Sequence, residues 1–168
     1  YTVLDPARTE VRYQTEWYDK FDLAATLRLM QEVTIAQMLQ HETFRTRYEQ
    51  GLPLGMHELC YPLLQGYDSV MCVADIEMGD PAQKFNILVG RDLMERRGME
   101  AQIALLVPVL LGIDGVEKMS KSLGNDIGVL AAPEEQYGRT MSIPDAILEN
   151  WHQMVLALNE DEMKPVRA

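Results

Sequence analysis

Residues 70–107 read VMCVADIEMGDPAQKFNILVGRDLMERRGMEAQIALLV, and the fold class turns on how that run divides. Val70-Met71-Cys72-Val73-Ala74 is an unbroken apolar run that reads as a buried strand, with a turn following at Gly79-Asp80-Pro81. Gln83 to Arg97 carries the spacing of an amphipathic helix, through Phe85, Leu88, Val89 and Leu93, and closes at Gly98. Ile103-Ala104-Leu105-Leu106-Val107 reads as the next buried strand. Strand, helix, strand is the unit of a parallel sheet with a helical crossover, which places the chain in the α/β class.

Upstream of that run, His57 to Asp68 reads as a helix around an apolar face, and Glu10-Val11-Arg12-Tyr13-Gln14-Thr15 alternates as a short first strand. Between them the pattern is helical. Asp22 opens a segment with Leu23, Thr26, Leu27 and Met30 on one face. Thr34 is the expected cap of a helix bearing Ile35, Met38 and Leu39, and the charged stretch Glu42 to Gln50 stops at Gly51 and Pro53. These small helices read as an insertion, about Asp22 to Pro53, with enough apolar residues to pair with another chain. Downstream, strand signals vanish beyond Pro133, and Ile143 to Leu158 reads as wholly helical.

Composition narrows the chemistry. The 168 residues hold 15 Lys+Arg against 26 Asp+Glu, a formal net charge of −11, with 47% hydrophobic residues. That is a globular balance, and it excludes a disordered chain, a collagen-like repeat and a disulfide scaffold. The acidity argues against nucleic acid wrapped over the whole surface, but leaves room for a local basic site. Cys60 and Cys72 are too few for a four-thiolate metal site and read as reduced, buried thiols of a cytosolic, hence cytoplasmic, protein. The longest apolar run, Ile103 to Ile113, is broken by Pro108 and Gly112 and falls short of the roughly 18 residues a membrane helix needs. No membrane partner is expected. Glycine-rich phosphate loops and HExxH are missing, and His41, His57 and His152 lack metal-ligand spacing, so no metal site is expected. The start at Tyr1, mid-pattern, reads as a segment of something longer.

Lys118-Met119-Ser120-Lys121-Ser122 carries the strongest chemical signal. It follows a turn at Asp114-Gly115 and precedes Leu123-Gly124-Asn125, read as flexible. Two lysines three apart on a Ser/Gly-rich loop can close over a polyphosphate and stabilise charge on the leaving phosphates. A solvated basic loop is the plainer reading, but a specified five-residue string arises by chance in such a chain only roughly once in twenty thousand. A second stretch is Tyr61-Pro62-Leu63-Leu64-Gln65-Gly66-Tyr67-Asp68-Ser69. At about 100° per residue, Tyr61, Gln65 and Asp68 share one helix face. A phenol, an amide and a carboxylate there suit an ammonium group and a phenolic hydroxyl; polar positions packing locally remain the alternative. Pro62, without a donor, fits best if the helix starts there.

The lysine string is that of the class I aminoacyl-tRNA synthetases, and the two stretches together resemble the bacterial tyrosyl-tRNA synthetase family. The resemblance runs through Glu16-Trp17, His57-Glu58-Leu59, Asp75-Ile76-Glu77-Met78-Gly79 and Gln83-Lys84-Phe85-Asn86-Ile87-Leu88-Val89-Gly90-Arg91. It implies the C-terminal half of a Rossmann-type catalytic domain, a parallel sheet with a helical insertion, over residues 1–124, and the start of an all-α domain over 125–168. By resemblance, Tyr61 and Gln65 hold the amino group of tyrosine, Asp68 accepts from its phenol, and Gln83 lies beside its carboxylate. Gly79, Lys118, Met119, Ser120 and Lys121 meet ATP, with Lys118 and Lys121 gripping the phosphates. The implied partners are tyrosine, tRNA-Tyr and ATP with its Mg, with no tightly bound cofactor, and the family pairs as a homodimer through the insertion.

Two departures from the family pattern stand out. The His-x-Gly-His half is missing, so the 168 residues alone are expected to be inactive. Gly79-Asp80-Pro81-Ala82-Gln83 stands where the family reads Gly-Gly-Ser/Thr-Asp-Gln, putting Ala82 in place of a ribose-binding carboxylate and implying weakened adenylate binding. A tryptophan–tRNA ligase, sharing the loop and fold, and a degenerate non-catalytic paralogue or binding module are the other two readings.

Overall fold

The computed structural model describes residues 3–165. The outer ends of both expected domains, residues 1–2 and 166–168, lie outside the described residues. The chain divides into two compact units, residues 4–107 and residues 108 onward, the latter with Val3.

In the first unit, Glu10 to Thr15 is not a strand. The alternation exposes every side chain, no strand pairs with it among the described residues, and from Thr15 the chain coils into the short helix α1 (Thr15–Tyr18). The expected small helices follow as α2 (Leu23–Met30), α3 (Ile35–Met38) and α4 (Glu42–Glu49). Asp22 caps α2 by accepting from the Ala25 amide, and Thr34 with Gln37 closes a capping box on α3.

The helix α5 (Met56–Cys72) corrects three readings at once. It begins before Pro62 and carries that residue inside, buried. It also consumes most of the run read as a strand at Val70 to Ala74. Leu63, Gly66 and Val70 recur at three- and four-residue spacing on the buried face, whereas Cys72 and Val73 are exposed, so a period of 3.6 wins over β-branched composition. Val73, in the left-handed region at φ 52°, ends the helix. Cys72 is therefore exposed and Cys60 half-buried, not two buried thiols.

The true strand is β1 (Ile76–Gly79). A 3-10 turn over Pro81–Gln83 leads into α6 (Lys84–Arg96), and then β2 (Ile103–Leu106) pairs with β1 in parallel, Ile76 opposite Ile103 and Gly79 opposite Leu106. Both strands expose one face, so β2 is not the fully buried strand expected. Ile76, Met78, Ile103 and Leu105 are solvent-facing because the helical layer covers only the other side. The core lies between α5 and α6, where Leu63 and Val70 meet Val89, Leu93 and Met94, closed over by Leu29 and Met38.

In the second unit, Leu111 bridges Lys118 in antiparallel fashion around a tight turn at Gly115, φ +72°. One 3-10 turn spans Lys121–Leu123, followed by α7 (Pro133–Met141), α8 (Asp145–Val155) and α9 (Glu160–Met163). The helix expected to run to Leu158 stops at Val155, and Ala157 sits at φ 53°, which an α-helix cannot continue. Among the described residues no helix is long and apolar enough to cross a membrane.

Close helix packing depends on two glycines. A Cβ on Gly66 would sit 2.9 Å from the Gly90 backbone nitrogen, and one on Gly90 2.6 Å from Ser69 Oγ. Gly66→Ala should therefore destabilise the protein by about 1–3 kcal/mol through overpacking, read as a lower urea midpoint; a loss within about 0.5 kcal/mol would mean the helices simply separate. Ion pairing supplies a second expectation. Glu58 accepts from Arg47 Nη1 at 2.6 Å and from the Gly55 amide at 2.7 Å, in that order of effect, and these hold its carboxyl down at about 2. A depressed carboxyl stabilises above its unfolded value and loses that contribution as pH falls. Stability should thus decline between about pH 4.5 and about pH 2, and Arg47→Ala should flatten that part of the profile of thermal midpoint against pH.

Candidate functional site

The α5 helix carries Tyr61, Gln65 and Asp68 on one side, and each meets a different environment. Tyr61 is 57% exposed. Gln65 is half-buried against α6, where its Oε1 accepts from Asn86 Nδ2 at 2.9 Å. Asn86 Nδ2 also donates to Gln83 Oε1 at 3.2 Å. One amide on α6 therefore gathers Gln65 and Gln83, which lie far apart in the sequence. Asn86 itself is 2% exposed, and its Oδ1 has no partner. Because both glutamine oxygens face Asn86, both Nε2 groups are left as donors for a carboxylate or carbonyl. Each oxygen keeps a second lone pair for an ammonium.

Asp68 points to the other end of the face. Its carboxylate accepts from Trp17 Nε1 at 2.9 Å and from Gln14 Nε2. Trp17 is buried in α1, and Gln14 comes from the end of the segment expected to be a strand, so the chain entering α1 brings an amide and an indole to the carboxylate. A carboxylate has about four lone-pair positions, and two donors leave room for a phenolic hydroxyl. Beside it, the Tyr18 hydroxyl donates to the Leu64 carbonyl at 2.7 Å, and burial first, then the Asp68 charge, pushes its phenol above the usual range.

Gly79 ends β1 where a Cβ would meet Ile87 Cδ1 at 2.9 Å and Gln83 Cβ at 3.1 Å, so a larger residue there would have to displace the Ile87 side chain. Asp80 accepts from the Gln83 amide at 3.1 Å and caps the 3-10 turn, with Pro81 at its first position. Ala82 is exposed and brings no polar atom to the turn. Lys118 and Lys121 lie in the other unit, both exposed, with Lys121 and Met119 lining an open pocket of about 470 Å³ together with residues 126–131. The Met119 amide donates to the Leu110 carbonyl at 2.8 Å, and Ser120 and Ser122 share a hydroxyl contact at 2.8 Å. Among the described residues, no three His, Cys, Asp or Glu side chains cluster as metal ligands would.

Gln14, Trp17 and Asn86 were not singled out from the sequence. Trp17 and Asn86 fell inside runs that carried the family resemblance. For Asn86 a signal was present: a polar residue three beyond Gln83, among Phe85, Ile87 and Val89 on a helix otherwise apolar at that level. Nothing local marks Gln14, whose partner is 54 residues away.

A parallel strand pair crossed by α6 in one unit, and a Lys-x-x-Lys loop in the other, are features of an α/β chain of the class I synthetase kind. The sequence profile of that family, tRNA synthetases class I (W and Y), matches residues 1–168, and the chain belongs to it. It is 47% identical over 168 residues to a tyrosine–tRNA ligase of Dehalococcoides mccartyi, covering 100% of this chain and 42% of the relative. It is 44% identical over 167 residues to a tyrosine–tRNA ligase of Moorella thermoacetica, covering 99% and 40%. The chain thus spans less than half the length of these relatives. The fold also matches the crystal structure of a tyrosyl-tRNA synthetase from Archaeoglobus fulgidus complexed with L-tyrosine, at a TM-score of 0.66 and 22% identity, over 91% of this chain and 50% of that one.

Asn86→Asp tests the amide relay. A carboxylate can only accept, so both glutamines would have to turn their Nε2 groups inward. The substitution should cost about 1–3 kcal/mol in chemical denaturation, and an unchanged midpoint would show that the relay contributes nothing.

Proposed function

We propose that this chain is part of a tyrosine–tRNA ligase, carrying tyrosine-binding and ATP-binding segments of the catalytic domain. The observation that carries the reading is the face of α5, where Gln65 is coupled to Gln83 through Asn86 while Asp68 stands apart as an acceptor. Tyrosine presents an ammonium, a carboxylate and a phenol, and this face offers a partner to each. Tyr61 and Gln65 take the ammonium, Gln83 the carboxylate, and Asp68 the phenolic hydroxyl. A site whose half-buried acceptor is covered by the substrate and needs that hydroxyl disfavours phenylalanine. Relatives at 44% and 47% identity that are named tyrosine–tRNA ligases support the choice of amino acid.

In the first step a tyrosine carboxylate oxygen attacks the α-phosphorus of ATP, which enters as its Mg complex, and the bond to the β-phosphate oxygen breaks. Tyrosyl-adenylate forms and pyrophosphate leaves. Lys118 and Lys121 stabilise the charge that builds on the departing phosphates, with Met119, Ser120 and Gly79 alongside the nucleotide. In the second step a ribose hydroxyl of the terminal adenosine of tRNA-Tyr attacks the acyl carbon and AMP departs. No covalent enzyme intermediate is needed, and positioning supplies much of the acceleration. The work is cytoplasmic. Pairing of two copies through residues 22–53 is part of the same proposal, supported by the exposed Leu23, Leu27, Ile35, Tyr48 and Leu52.

A tryptophan–tRNA ligase is the second reading, because an indole N–H also suits an acceptor such as Asp68. ATP–pyrophosphate exchange in the full-length protein decides between them. Tyrosine should support exchange about 10⁴-fold better than phenylalanine, and tryptophan should support none. Lys121→Ala should lower the tyrosine-dependent rate about 100-fold. Exchange driven by tryptophan, or by neither amino acid, would overturn the proposal.

A further inference from the structure

The segment read from sequence as flexible, Leu123-Gly124-Asn125, ends in one of the most constrained side chains of its unit. Asn125 is 5% exposed. Its Nδ2 donates to Asp114 Oδ2 at 2.5 Å and to the Lys118 carbonyl at 3.2 Å. Its Oδ1 accepts from the Ser120 amide at 2.8 Å, and its backbone carbonyl accepts from the Ile113 amide at 2.9 Å. Both side-chain donors are therefore in use, and the acceptor is engaged as well. Gly112 makes room for it, since a Cβ there would lie 2.3 Å from Asn125 Nδ2.

Asp114 is anchored in turn. Its Oδ1 accepts from the Val116 and Glu117 amides, each at 2.9 Å. The Val116 amide first, then the Asn125 amide and the Glu117 amide, hold its carboxyl below the usual range, so it stays an acceptor at neutral pH. The Asp114 turn is thus fixed by its own backbone, and Asn125 grips it while holding the chain at Lys118 and at Ser120. These two points flank Met119 and sit at the bases of both lysines.

We propose that Asn125 is the positioning residue of the lysine loop: by clamping the backbone of Lys118 and Ser120 to the Asp114 turn, it fixes where the two ammonium groups meet a polyphosphate. The inference rests on the phosphate-binding reading of Lys118 and Lys121. An ammonium on a loose loop must be ordered again in each catalytic cycle, whereas a clamped loop presents its charge where the transition state needs it.

A reciprocal exchange of the two side chains tests the clamp in the full-length protein. Asn125→Asp alone sets two carboxylates face to face and removes both donors. Adding Asp114→Asn restores the pair with its polarity reversed. Asn at 114 keeps Oδ1 for Val116 and Glu117, and Asp at 125 still accepts from Ser120. At the Lys118 carbonyl, 3.2 Å away, the donor is then replaced by a carboxylate oxygen that cannot donate, and this is the one contact the exchange does not restore. The single variant should lower kcat/KM for ATP in pyrophosphate exchange about 100-fold, leave KM for tyrosine unchanged, and speed trypsin cleavage after Lys118 and Lys121. The double variant should recover most of both losses. No response of cleavage to Asn125→Asp, or a double variant no better than the single, overturns the clamp. If cleavage follows the exchange but Lys118→Ala and Lys121→Ala leave kcat/KM for ATP untouched, the clamp stands and the phosphate reading falls.

Discussion

At Gly66 and Gly90 the backbones of α5 and α6 approach so closely that a methyl group on either would collide with the other helix. Much of the first unit follows from that contact. It sets the depth at which Leu63 and Val70 interlock with Val89 and Leu93, and it brings the polar edge of each helix within hydrogen-bond reach of the other. Gln65 precedes Gly66 by one residue, and Asn86 precedes Gly90 by one turn, so their hydrogen bond exists because the glycines allow it. Ser69, against which Gly90 packs, donates to Glu77 on β1 at 2.6 Å; Gln102 donates to the same carboxylate, and Arg91 to the Gln102 carbonyl. Helices and sheet are thereby locked in one register by a buried polar chain, which is sensitive to geometry in a way that apolar packing is not.

The sequence was most legible where local chemistry decides structure. Asp22 and Thr34 cap their helices because a short side-chain acceptor beside free amides is a local event, and Gly115 turns for a similar reason. It was least legible where a neighbour decides. Val70 to Ala74 has the composition of a strand, yet only a helix puts Leu63, Gly66 and Val70 against α6. Glu10 to Thr15 alternates correctly, but alternation needs a partner strand, and its true task is to deliver Gln14 and Trp17 to Asp68. Pro62 sits inside α5 although it withholds a donor from the Glu58 carbonyl, a cost that local sequence rules weigh against a helix there. Asn86 and Asn125 could be read as polar residues but not as connectors, since their bonding partners are set by tertiary contact. The lysine string was legible as a motif and not as structure: its surroundings suggested a flexible loop, yet Asn125 beside it is buried and hydrogen-bonded through both side-chain atoms.

The sheet face bearing Ile76, Met78, Ile103 and Leu105 is apolar and exposed, while α6 covers the opposite face. Parallel strands normally have both faces covered, because crossover helices lie on either side. A two-stranded sheet with one layer is the geometry expected of a portion of a larger doubly covered sheet. That agrees with a chain spanning 40–42% of the relatives' length. The turn after β1 is self-contained by comparison. Asp80 caps the Gln83 amide with one oxygen, and Pro81 has no amide to offer, so the turn's backbone is held locally.

Charge gives the last constraint. Over these 168 residues the formal net charge is −11, a balance that repels polyanions at long range and cannot by itself steer one to the lysine loop. At physiological ionic strength that repulsion fades beyond about 8 Å, and within that distance the placement of individual ammonium groups decides. A lysine on a freely moving loop would spread its charge over an acidic surface; one whose base is fixed keeps it concentrated. On the phosphate-binding reading proposed for that loop, a local clamp on the backbone contributes more than further positive charge would.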